Sequence, residues 1–151
     1  MYSITKRMQN VYWATTYFVI GYAIVVATIV SLYQLPSSLR SSIGIIIASV
    51  VFVDLAYRFF KRTTEEGISV SWKSVVKLMS YWAFLSIGLD VLLLVVIIPL
   101  MATGTLNLQF FEQQCSLYWV QFPMFFVFGF VAQAMYNRVL AIKSSRTEQF
   151  Q

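Results

Sequence analysis

Four apolar runs, each close to or above the ~20 residues needed to cross a ~30 Å hydrocarbon core, dominate the sequence. They cover residues 11–33, 42–60, 75–101 and 117–142. Apolar and polar residues do not alternate within them, which argues against the strands of a membrane β-barrel. Without water to satisfy the backbone, such runs must be helices. Composition agrees: 59% of the 151 residues are apolar or aromatic and only 11% are charged, where a soluble domain carries about a quarter charged. The expected fold is an all-α integral membrane protein with four transmembrane helices, residues 1–151 forming a single membrane domain. The first run exceeds the ~7–15 apolar residues of a signal peptide and is read as a retained span.

The basic residues set the expected orientation. Lys6, Arg7, Arg58, Lys61, Arg62, Lys73, Lys77, Arg138, Lys143 and Arg146 flank one side of the four runs, and Arg40 is alone on the other. Lys and Arg are retained on the cytoplasmic side of short loops, so both termini and the 61–74 connection are expected there, in a bacterial cytoplasmic membrane. Two aromatic belts are expected at headgroup depth. Tyr12, Trp13, Tyr57, Trp72, Tyr81, Trp82 and Tyr136 fall toward the inner face, and Tyr33, Tyr118 and Trp119 toward the outer.

Several chemistries are excluded by what is missing. The chain has no His and one Cys, Cys115, which removes intrachain disulfides, His-based metal sites and Ser-His catalysis. Cys115 reads as an ordinary interfacial cysteine. No cofactor, no metal and no enzymatic activity are expected. The net charge of +5 is accounted for by contact with anionic headgroups, so membrane lipids are the expected partners and nucleic acid is not. Lys61, Arg62, Lys73 and Lys77 are the candidate headgroup contacts; the segment 68–78 is either interfacial or a plain helix entry with snorkelling lysines.

The polar groups inside the runs are the candidate functional residues. Asp90 lies thirteen residues beyond Lys77, roughly 20 Å along the third helix at 1.5 Å per residue. A central Asp costs about 2.5–3.5 kcal/mol on insertion scales, so it must face a partner helix or a wet cavity. Ser86, one turn earlier, is placed to help solvate it, with Trp82 on the same face. Two accounts of Asp90 stand side by side: a proton or cation site, and an interhelical hydrogen-bonding anchor. Asp54 and Arg58 have the i,i+4 spacing of a local ion pair. Gln133 and Asn137, with Gly129, form a stripe suited to helix packing, as do Gly21 and Gly44. Pro123 is expected in the first turn of the fourth helix, where its missing N–H costs little.

Asp54, the basic residues Arg58, Lys61 and Arg62, the stretch Gly67-Ile68-Ser69-Val70-Ser71, and Lys77 opening a further apolar run together resemble the phage lysis and toxin-secretion holins, over roughly residues 43–100. The chain departs from that pattern at Leu55-Ala56, where the family often has a Thr-Gly pair, and in a last helix without a carboxylate. The resemblance implies a homo-oligomer that accumulates harmlessly and then opens lesions in the cytoplasmic membrane. Two other expectations fit the residues: a small channel or proton-coupled transporter using Asp90, and a non-enzymatic accessory subunit of another membrane protein.

Overall fold

The computed structural model describes the backbone of residues 2–106 and 108–148, and the side chains of residues 9–101, 103–106, 109, 118–142, 144 and 145. Lys6, Arg7, Cys115, Lys143 and Arg146, named above, lie outside the described side chains. Helices α1 (Tyr2–Ser31), α2 (Ser37–Glu65), α3 (Trp72–Asp90), α4 (Ile98–Thr103) and α5 (Leu108–Glu148) make up the chain, with a π-helical segment, Val91–Ile97, joining α3 to α4. No strand occurs among the described residues. Four helical stretches are long and apolar enough to cross a membrane: Gln9–Ser31, Ser37–Glu65, Trp72–Met101 and Tyr118–Ile142.

The helices outrun the apolar runs because polar turns extend them. At the end of α2, Lys61 and Glu65 approach to 3.9 Å and Arg62 and Glu66 to 3.1 Å, both i,i+4 pairs. Gly67, at φ +80°, then stops the helix. Its N–H donates to Thr64 O and that of Ile68 to Thr63 O, the paired bonds of a Schellman cap. Ser71 caps α3 by accepting from the Ser74 N–H. Lys73 and Lys77 therefore stand on the first turns of α3, as a plain helix entry.

Pro123 and Pro99 fall differently from one another. Pro123 does not open the fourth long helix: α5 begins at Leu108 and Pro123 is inside it. The expectation fails because a proline in a membrane helix is tolerated where neighbouring helices brace the interrupted bond. Pro99 lies in the first turn of α4. It has no N–H for the Val95 carbonyl, and the chain before it is wound as a π-helix, with the Ile98 N–H reaching Leu93 O.

The four long helical units pack as an up-down-up-down bundle. α1 lies beside α2 and α3, and α5 beside the same two. Between α1 and α3, Ala14 and Thr15 meet Trp82 and Tyr81, and seven to eight residues further along α1 Tyr22 meets Asp90, eight to nine further along α3, so these helices are parallel. Between α3 and α5, Ser86 meets Gln121 and Met79 meets Gly129, so these are antiparallel. One ring from each unit, Phe18, Phe52, Trp82 and Phe125, meets at a single level, with centroids of contacting pairs 5.2 to 6.4 Å apart. Packing of this kind holds membrane helices together, since lipid tails compete equally well for apolar surface. The layer closes the axis of the bundle. Trp82 was expected in a headgroup belt and is instead fully buried here, because its indole N–H finds the Ala14 carbonyl at 2.9 Å.

Close approach elsewhere depends on glycine. A Cβ on Gly129 would overlap Met79 and Val75, and one on Gly21 would sit 2.7 Å from Leu55 Cδ1. The outward faces are apolar: Ile24, Ile46, Val50, Phe84, Leu92 and Val127 are all exposed. An apolar mantle around a packed core is what a lipid-facing bundle requires and what a soluble monomer rarely shows.

Candidate functional site

Beyond the aromatic layer, toward the end of the bundle where α1 finishes and α2 starts, five polar side chains converge from three helices. α3 contributes Ser86 and Asp90, one turn apart on one face. α1 contributes Tyr22, whose hydroxyl donates to Asp90 Oδ1 at 2.6 Å. α5 contributes Tyr118, whose hydroxyl also hydrogen-bonds the Asp90 carboxylate, and Gln121, whose Nε2 donates to Ser86 Oγ at 2.8 Å.

The carboxylate is thus held by neutral hydroxyl donors. Among the described residues the ion pairs are Asp54–Arg58, Lys61–Glu65 and Arg62–Glu66, and none includes Asp90. Asp90 is half-buried and is the last α-helical residue before the π segment. A carboxylate accepts only when ionised and gains one donor when protonated. With flanking phenols that can turn their O–H, either form can be accommodated. The cluster is therefore chemically able to take up and release a proton, or to receive a small cation. Among the described residues no group of side chains is arranged to hold a metal ion.

Ser86 does not solvate Asp90 as expected. It is buried and bonded to Gln121, while Tyr22 and Tyr118 hold the acid. The reason is reach: phenol side chains from two neighbouring helices extend to Asp90, and the short Ser86 hydroxyl stays with the amide facing it. Tyr22, Tyr118 and Gln121 were missed by the sequence reading. A signal existed for Tyr22, which is the middle residue of the run 11–33, at a depth where a phenol must find a partner. Tyr118 has the position of a belt residue, and nothing local distinguishes Gln121 beside Pro123.

The remaining candidates lie elsewhere. Asp54 and Arg58 form the local pair, at 2.7 Å, on the outside of α2. Gln133, about 18 Å along α5 from Gln121 at 1.5 Å per residue, is half-buried and donates to the Val70 carbonyl at 3.5 Å. Asn137 is exposed one turn further on, so of that stripe Gly129 makes the closest helix contact. Among the expected headgroup contacts, Lys73 and Lys77 are exposed. Arg62 is engaged within the bundle, its guanidinium 3.6 Å above the Trp13 ring and bonded to Glu66.

The fold and the cluster define a four-helix bundle with four membrane-length helices and an internal carboxylate. Comparison with family models, with curated proteins and with solved structures finds no match.

Proposed function

We propose that this chain is a multi-pass protein of the bacterial cytoplasmic membrane, with both termini in the cytoplasm, that exchanges a proton or small cation at Asp90. One observation carries the reading: a carboxylate far from either end of its apolar helix has hydroxyl partners on two other helices and, among the described residues, no cationic partner. An acid kept only as an anchor would be served as well by an amide, which accepts the same hydrogen bonds with no charge to desolvate. A hydroxyl-held acid retains the ability to change charge. The α1–α3 seam also carries polar contacts at one further level, where the Trp82 indole donates to Ala14 O at 2.9 Å and the Thr15 and Tyr81 hydroxyls lie 2.7 Å apart. The positive-inside distribution of Lys and Arg supports the orientation.

Proton and cation flux into vesicles reconstituted with the purified protein tests this reading. Flux is expected, and Asp90→Asn is expected to abolish it; unchanged flux in Asp90→Asn rejects the mechanism.

A second reading, the holin-like lesion former implied by the resemblance, is favoured by the Asp54–Arg58 pair, which lies on the outer surface of α2 where the resemblance begins. Because four rings close the bundle axis, lesions on this reading open between copies or after the bundle unpacks. Induction in bacteria with membrane potential followed over time tests it. Sustained growth at full potential removes it.

A further inference from the structure

The Asp54–Arg58 pair is set in the wrong place for an isolated bundle. α2 has 29 residues, about 43 Å at 1.5 Å per residue, against a hydrocarbon core of ~30 Å. Asp54 is eleven residues from Glu65 (65 − 54), so with equal overhang at both ends it lies about 10 Å inside the apolar zone. Its side chain is nevertheless 50% exposed and that of Arg58 62%. Arg58 has a stem long enough to reach the headgroups. Asp54 does not, and a carboxylate facing lipid at that depth is costly.

We propose that this face of α2 is an interface with a second copy of the chain, related by a two-fold axis parallel to the bundle. Three features select a second copy as the occupant. The patch is self-complementary in charge, since an acid and a base one turn apart can meet the same pair to form an alternating quartet of two carboxylates and two guanidiniums. Arg58 uses its Nε on Asp54, one of five N–H donors, so the others remain for a partner's carboxylate. A copy inserted in the same orientation also brings its own pair to the same depth without any further requirement. Beside the pair, an open groove of about 430 Å³, lined by Ser49, Val50, Val53, Asp54, Tyr57 and Met135, gives an apolar seat for the opposing helix. A closed two-fold pairing would place the same patch on both sides, and the pair would leave the lipid. The inference is independent of the role of Asp90 and of the lesion-forming reading.

Cross-linking in native membranes tests it. In full-length protein carrying Cys115→Ser, Val50→Cys on the proposed face is compared with Phe84→Cys on the outer face of α3. The two positions are equally exposed in one copy, 64% and 66%, so a difference reports neighbours and not access. Oxidation is expected to yield a disulfide-linked dimer through residue 50 and not through residue 84. The same Val50→Cys protein is then made with Asp54→Lys, leaving two bases on the face, or with Arg58→Glu, leaving two acids. Each is expected to lose at least about tenfold in dimer, because like charges now face each other. Co-expression of the two is expected to restore dimers containing one copy of each, which also shows that both variants fold. Absence of dimer at residue 50, which would assign the face to lipid or another protein, overturns the proposal. So do equal cross-linking at residues 50 and 84, persistence of dimer in either single charge variant, and failure of co-expression to restore it.

Discussion

Asp90 shows how much a single intramembrane side chain depends on its partners. Its two phenol donors, Tyr22 and Tyr118, come from helices far apart in sequence, and each bond between membrane helices contributes about 0.6 kcal/mol on average, up to ~1.7. Tyr22→Phe removes one donor without changing shape. It is expected to lower stability by about 1 kcal/mol, measured by reversible unfolding in detergent. Asp90→Asn keeps an acceptor for both hydroxyls and removes the charge, so stability is expected to hold or rise. Taken with the flux measurement, the two variants separate the accounts of this residue: loss of flux at unchanged stability marks a functional acid, and the reverse marks an anchor. That Asp90 needed partners was legible from its cost in lipid. Which residues they were was not, because a hydroxyl in one helix carries no local sign of an acid 68 positions away.

At the scale of elements, α3 and α5 are held together at the glycine. Gly129 lets α5 approach until Met79 and Val75 fill the space a side chain would occupy. Met79 can swing aside, but Val75 is β-branched and has little rotamer freedom in a helix. Gly129→Ala is expected to destabilise the bundle by about 1–3 kcal/mol through overpacking. Gly88→Ala, where no atom lies within 4 Å of the added Cβ, serves as the control in the same unfolding assay and is expected to be neutral or slightly stabilising. The presence and order of the helices followed from run length alone. Their ends did not, because hydropathy stops where polar residues start, whereas α2 continues through Lys61–Glu65 and α5 begins nine residues before the run at 117. Pro123 misled for a related reason: as a local signal it marks a first turn, and only the neighbouring helices make it tolerable mid-helix.

For the whole molecule, the packing requires α1 and α3 to run one way and α2 and α5 the other, which leaves the start of α1 and the end of α5 on one side of the bundle. In protein carrying Cys115→Ser, labelling from outside intact cells is expected to reach a cysteine placed at Thr105, in the connection after α4, and to miss cysteines placed at Gln9 and Ser145 until the membrane is permeabilised. Labelling of Gln9 and Ser145 on opposite sides would overturn the orientation and the expected insertion together.

The sequence by itself determined that the chain is all-helical, that four helices are long and apolar enough to cross a membrane, and that one acid lies within such a run. Each of these follows from how much apolar length a bilayer demands and what a charge costs there, quantities additive along the chain. Only the tertiary structure decided that Phe18, Phe52, Trp82 and Phe125 close the axis, that Trp82 leaves the headgroup belt for the core, and that Ser86 bonds Gln121 while two tyrosines hold Asp90. Those outcomes depend on rotation and register between helices, set by side-chain packing and hydrogen bonds across distances in sequence that no single run records.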